Sequence, residues 1–411
     1  MHTPPADSFA LPTPDAAFGH ALRSHWSLDP TVTFLNHGSF GATPRYVQAA
    51  QAQWRMAMEA EPVRFMQDEL PAALSTAGAA LANLVGAKPD NLVFVDNATA
   101  GANAVLRSID WRAGDRVVIA NHGYPALKNT LAYLAARHQI EVVFAEVPWP
   151  LDGPQALVAA YLDAIKNDQG GRVRLAVVDH IFSPLAVETP LDDIAVQCRA
   201  QGTLLLVDGA HAPVLLPLNL EALFGLGVDW YVGNCHKWLC APKGVGFLAA
   251  APHAQAGLHP TVISNYYGEG FQREFAWCGT GDFSAKLSVV AAIEFIEALG
   301  VARYREYLRS LAAAAEQLIC DAWRVLPGAP LSMFHSMVTI PLPNDERGDV
   351  AAAVRLRKQL LIKHQIEVPI HAINGRLYIR ISAQVYNELS DYDRLAKVFG
   401  CEMKHTSPEG A

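Results

Sequence analysis

An α/β fold, with a mostly parallel mixed sheet of seven strands between helices and a smaller α+β unit at the C-terminal end, is predicted on three observations. Seven short apolar runs recur through the middle of the chain: Leu92–Val95, Val117–Ala120, Val142–Phe144, Leu175–Val178, Leu204–Val207, Trp230–Val232 and Gly246–Ala249. They are continuous rather than alternating, the pattern of strands buried on both faces. Helical patterns separate several of them, and strand alternating with helix builds a parallel sheet. From about Ser284 the texture changes to long helices, Val301–Leu326 and Val350–His364, then strand-like runs at Glu367–Ile370 and Leu377–Ser382 and a capped helix after Ser390. The expected division is a leader over 1–30 that packs on the small domain or on a partner chain, a large α/β domain over 31–283, and a small α+β domain over 284–411.

Each element has a local reason. Ala98, Ala102, Val105 and Ile109 form an apolar stripe at helical spacing. Thr189-Pro190-Leu191-Asp192-Asp193 reads as an N-cap, a proline at the first helical position and acids in the first turn. The bulk numbers fit such a chain. At 411 residues, 51% apolar and 18% charged, it can fill more than one core. A net charge of −8 argues against nucleic acid or an anionic membrane as the main partner. The Pro-rich start lacks an apolar run, so no secretory signal is expected, and no apolar stretch is long enough to span a bilayer. Six scattered cysteines without a CxxC pair suggest reduced thiols in the cytosol. No metal site is expected.

In an open parallel sheet, ligands bind at the carboxyl ends of the strands. Leu92–Val95 leads to Asp96-Asn97-Ala98-Thr99, a helix start suited either to ordinary capping or to seating a phosphate. Val117–Ala120 leads to Asn121-His122-Gly123-Tyr124-Pro125, where a ring could lie over a flat cofactor or simply form a turn. Leu175–Val178 leads to Asp179, His180 and Ser183, but without a G-x-S-x-G elbow these do not read as a hydrolase triad. Leu204–Val207 ends in Asp208, with His211 three residues on, and Trp230–Val232 runs into Cys235, His236 and Lys237. An acid closing one strand and a lysine closing a later one meet the needs of pyridoxal phosphate (PLP). The lysine forms a Schiff base with the aldehyde, and the acid keeps the pyridine nitrogen protonated. The apolar flank Trp238-Leu239-Cys240-Ala241-Pro242 would bury the lysine stem and lower its pKa.

With these residues assembled, the chain resembles the class V aminotransferase family of fold-type I PLP enzymes, in its isopenicillin N epimerase-like branch. The resemblance rests on Leu35-Asn36-His37-Gly38-Ser39-Phe40-Gly41, Pro62-Val63-Arg64-Phe65, Asn97-Ala98-Thr99, His122-Gly123-Tyr124-Pro125-Ala126, Asp208-Gly209-Ala210-His211, His236-Lys237-Trp238-Leu239, Gly279-Thr280-Gly281-Asp282 and Tyr378-Ile379-Arg380-Ile381-Ser382. It implies that Lys237 carries the cofactor and moves protons at the substrate α-carbon. Asp208 would bind the pyridine nitrogen, His211 the phenolic oxygen, and Tyr124 would cover the ring, either stacking only or also acting as an acid or base. The amides of Ala98 and Thr99, the Thr99 hydroxyl and His236 would hold the phosphate, with Thr280 reaching the phosphate of a neighbouring subunit in a homodimer. Arg380 would pair with the substrate carboxylate, while Asn36, Gly38, Asn129 and Arg64 would line the mouth.

Two departures are visible. Cys235 stands where many relatives carry a phosphate-binding Ser or Thr, and Pro369-Ile370-His371-Ala372-Ile373 lacks the persulfide-forming cysteine of the desulfurases. Cys278 is expected to be a small buried residue beside Trp277. The expected activity is that of a cytosolic PLP enzyme acting on an L-amino acid through an α-carbanion. A carbon–sulfur β-lyase for cysteine conjugates or sulfoxides is placed ahead of an epimerase. A transaminase or a non-catalytic PLP-binding homologue ranks lower.

Overall fold

The computed structural model describes residues 9–166, 173–343 and 346–402. Positions 1–8 of the expected leader and 403–411 of the expected small domain lie outside the described residues. Chain order begins with a two-residue strand, β1 (Thr33–Phe34). The seven apolar runs follow as β2 (Leu92–Val95), β3 (Arg116–Ala120), β4 (Glu141–Ala145), β5 (Val173–Asp179), β6 (Leu204–Asp208), β7 (Trp230–Asn234) and β8 (Gly246–Ala250). They form one sheet in the order β2-β8-β7-β6-β5-β3-β4. β8 runs antiparallel to both neighbours, and the other neighbouring pairs are parallel.

Helices cover the sheet on both faces, so β2, β3, β7 and β8 are buried along their length. Each fully buried Val, Leu or Ile contributes about 1.5–3 kcal/mol. The edge strand β4 departs from the expected burial on both faces. Phe144 is exposed and Val142 and Val143 are half-buried, because an edge strand has only one neighbour and thinner helix cover.

The C-terminal part holds β9 (Met337–Pro341), β10 (Ile366–Glu367), β11 (Ile370–Ile373) and β12 (Arg376–Ser382). β12 lies between β11 and β9 in an antiparallel sheet, whereas β10 pairs in parallel with β1. The run expected over Glu367–Ile370 therefore splits into two strands in different sheets. Pro369 between them has no N–H for a ladder. The long helix stops at Trp323 rather than Leu326, because Arg324 turns left-handed at φ 55°. The helix expected to be capped by Thr189 begins at Leu191, with Pro190 as N-cap. The Thr189 hydroxyl donates instead to the Asp179 carbonyl at 2.6 Å, tying the end of β5 to the loop after it.

The N-terminal segment crosses the C-terminal part. The Gly19 amide donates to the Val385 carbonyl, and Trp26 packs edge-on against Phe295 and Tyr386. The β1–β10 pairing continues as Leu35 N–H to Glu367 O and Ser382 N–H to Leu35 O. This places residues 36–41 over the end of β7, between the large sheet and β12.

Candidate active site

Three strand ends converge. β5 and β6 run in register, with Asp179 opposite Asp208, and β7 lies beside β6 and leads into His236 and Lys237. Asp208 Oδ1 accepts from the Ala210 amide at 3.0 Å. Lys237 is buried, and its Nζ lies 3.0 Å from His211 Nε2. Burial, reinforced by the Arg380 guanidinium, lowers the lysine pKa to about 7, against the pull of Asp208. Burial also holds His211 well below its ordinary range, so its imidazole is neutral. Asp208 is raised by burial, a penalty that a cation against it would remove. Asp179 is held well above the usual carboxyl range, by burial first and Asp208 second.

A loop from the N-terminal segment seals this cluster. Gly41 has φ +68°, and a Cβ there would stand 1.8 Å from the His236 carbonyl oxygen, inside contact with backbone. Only glycine satisfies both the torsion and the approach. His37 Nε2 lies 2.9 Å from the Lys237 carbonyl and its Nδ1 2.8 Å from the Tyr386 hydroxyl. We expect Gly41→Ala to lower stability by about 3 kcal/mol, read as a fall in the denaturation midpoint. An unchanged midpoint would show that the loop does not rest on the lysine turn.

Arg380 on β12 enters from the other side and is 1% exposed. Its Nη1 donates to the Ser183 carbonyl and, at 3.1 Å, to the Ser183 hydroxyl, while Nη2 donates to Ser39 Oγ at 3.1 Å. Nε is buried with no partner among the described residues. Burial lowers its pKa to about 10, opposed by the nearby Tyr124 phenol. Tyr124, 38% exposed, begins the helix Pro125–His138 at the rim.

Other expected residues are placed differently. Asn36 is buried and spends its side chain on Glu367 and Ser39, and the Gly38 amide donates to Ser382 Oγ, so neither presents a free group to the mouth. The Ala98 amide, expected to face an anion, donates to Asn234 Oδ1 at 2.8 Å, because β7 ends directly beside this helix start. Asn97 caps the same helix through the Ala100 amide. The Thr99 amide remains among those that the first helical turn leaves unpaired.

Asn129 is exposed on its helix, and Arg64 pairs with Glu69 on the surface. Thr280 is exposed and lines a cleft of about 950 Å³ with Val63, Met66, Trp277 and Lys286. Cys278 is exposed rather than buried, since Trp277 turns to stack on Phe283 instead of covering it.

Sequence reasoning did not select Ser39, Ser183, Asn234 or His371. In the sequence Ser183 stands out only as part of a strand-end trio with Asp179 and His180. His371 sits on β11 with Nε2 buried and unpartnered, held to about pKa 3 by burial and by Arg380. The register of β11 on β12, which pairs His371 with Tyr378, could have located it.

The donor set fits pyridoxal phosphate. A buried carboxyl, a buried amine of lowered pKa, the buried His211 and the half-buried His236 stand together at one strand-end cluster, and the Nδ1 atoms of both imidazoles are buried with no partner among the described residues. In an apolar interior, such unspent groups point to a polar ligand.

The comparisons agree. The family model "Aminotransferase class-V" matches residues 38–395. A probable chloroplastic L-cysteine desulfhydrase of Arabidopsis thaliana is 32% identical, over 89% of this chain and 82% of its own. Isopenicillin N epimerase of Amycolatopsis lactamdurans is 34% identical, over 91% and 96%. The solved structure of a cysteine desulfurase from Thermococcus onnurineus NA1 shares the fold at a TM-score of 0.77, with 20% identity, covering 95% of this chain and 99% of that one. The expected seven-stranded α/β architecture and cofactor are thus borne out, and the chain belongs to the class V aminotransferase family as a PLP-dependent lyase or epimerase.

Proposed function

We propose that this enzyme is a carbon–sulfur β-lyase that acts on L-cysteine or an S-substituted cysteine. The observation that carries the reading is the buried Lys237 amine, held near pKa 7, in the same cluster as a buried arginine suited to a carboxylate. Bound PLP supplies the electron sink for negative charge at the substrate α-carbon. Asp208 would hold its ring nitrogen and His211 its phenolic oxygen. Thr99 and His236 would hold its phosphate, without the Ala98 amide, which Asn234 occupies.

Arg380 binds the α-carboxylate through a charge-assisted contact. Lys237, about half of it neutral near pH 7, would be the base that takes the α-proton. The Cβ–S bond breaks, and Tyr124 at the rim protonates the departing thiolate. The released enamine hydrolyses to pyruvate and ammonia. Incubation with L-cysteine and S-substituted cysteines should release pyruvate and thiol in equal amounts. Amino acid recovered without loss of sulfur overturns the reading. The relatives named as desulfhydrases support the same substrate class.

An epimerase is the second reading, favoured by His371, whose unpartnered Nε2 lies near Arg380 and could serve as a second acid or base.

Burial leaves the Lys237 amine half-protonated near pH 7 rather than near 10.5. The neutral form is the nucleophile. Uptake of the cofactor by apoprotein should climb about tenfold per pH unit below 7 and level off above it. Stopped-flow absorbance checks this, and a rise continuing to pH 10 would contradict the buried environment.

The same reading assigns 31–283 to the cofactor and 284–411 to the carboxylate-binding arginine. It places a second copy over the cleft that carries Thr280, beneath which Met58, Phe65, Leu70, Phe283 and Leu287 form a separate apolar cluster. Sedimentation should give a dimer, and a monomer at micromolar concentration would count against it. No described helix is long and apolar enough to cross a membrane. A cytosolic location is proposed with the rest.

A further inference from the structure

We propose that Glu367 and Arg357 are positioning residues for Arg380, acting through a directed chain of hydrogen bonds that sets the enzyme's selectivity for substrates bearing an α-carboxylate. This rests on Arg380 being the carboxylate site.

The chain can be followed atom by atom. Arg357 donates to both oxygens of Glu367, from Nε at 2.8 Å and Nη2 at 2.7 Å. Asn36 Nδ2 donates to Glu367 Oε1 at 2.8 Å. The Ser39 hydroxyl donates to Asn36 Oδ1 at 2.5 Å, and Ser39 Oγ accepts from Arg380 Nη2 at 3.1 Å. Arg357 lies on the helix Val350–His364 with its side chain 41% exposed, whereas Glu367 and Asn36 are each 7% exposed. Five side chains from three separate stretches of sequence thus link solvent to the guanidinium.

Chemistry fixes the sense of each bond. A carboxylate only accepts, so the Asn36 amide must turn its nitrogen to Glu367 and its oxygen to Ser39. The Ser39 hydroxyl then spends its proton on Asn36 and presents a lone pair to Arg380. Asn36 on its own could sit either way round, and the Ser39 rotor could turn. The buried, doubly paired Glu367 removes both freedoms, and Ser183 fixes the opposite edge of the guanidinium. Glu367→Gln leaves the size of the side chain but no longer dictates the sense. Arg357→Met releases the carboxylate from its bidentate partner.

The test uses holoenzyme and two ligands that undergo no β-elimination: L-alanine, which has the carboxylate, and ethylamine, which lacks it. Calorimetry gives the ratio of their dissociation constants for the native protein, Glu367→Gln, Arg357→Met and Arg380→Ala. The preference for L-alanine should fall about tenfold in Glu367→Gln and less in Arg357→Met, with ethylamine little changed. A variant that merely loosened the site would weaken both ligands together and leave the ratio unmoved. If Arg380→Ala lowers the ratio and neither of the other two does, the relay is overturned while Arg380 stands. If Arg380→Ala also leaves it unchanged, the carboxylate assignment fails and the relay with it.

Discussion

Lys237→Ala should abolish covalent attachment of the cofactor and lower turnover on the order of 10³-fold or more. The native side chain is an amine whose pKa burial lowers to about 7, 3.0 Å from a neutral imidazole and shielded by the Trp238-to-Ala241 turn. Alanine removes both the nucleophile and the base that takes the α-proton. The fold should survive, because the turn is held through its backbone, by His37 on the Lys237 carbonyl and Tyr304 on the Trp238 carbonyl. Borohydride reduction followed by peptide mass analysis checks this. Reductive labelling that persists in the variant, or at another lysine in the native protein, would overturn the assignment.

Arg380→Ala should raise KM for any L-amino acid by about 10²-fold, the equivalent of roughly 2.7 kcal/mol of carboxylate binding. The guanidinium is already fixed on both edges by Ser39 and Ser183, so little ordering is left for the substrate to supply. Truncation also strands the Ser39 and Ser183 hydroxyls near a site that must receive an anion. Arg380→Lys should recover only part of the loss, since an ammonium cannot reproduce the planar fork. Steady-state kinetics on L-cysteine would decide this, and a native KM in the alanine variant would place the carboxylate elsewhere.

The lysine and the acid were legible because they close apolar strands, and a strand end in a parallel sheet has only one place to point. The seven strands were legible for the same reason, each a continuous apolar run. β9 is not legible in the same way, being a five-residue stretch that ends in Pro341. Ser39, Glu367 and Ser183 were invisible as partners of Arg380 for a different reason. Their meeting depends on the two-residue β1–β10 pairing and on the loop after β5, contacts that join residues hundreds of positions apart and leave no periodicity. The expected anion seat failed at Ala98 because Asn234, an ordinary strand-end amide in sequence, reaches that N–H first.

The most direct test follows cysteine derivatives in deuterated water by NMR, with holoenzyme, watching the α-carbon and pyruvate together. The account predicts pyruvate in step with released thiol, and little deuterium in the amino acid that remains. Deuterium entering the α-position with inversion, and no pyruvate, would contradict it and make the enzyme an epimerase.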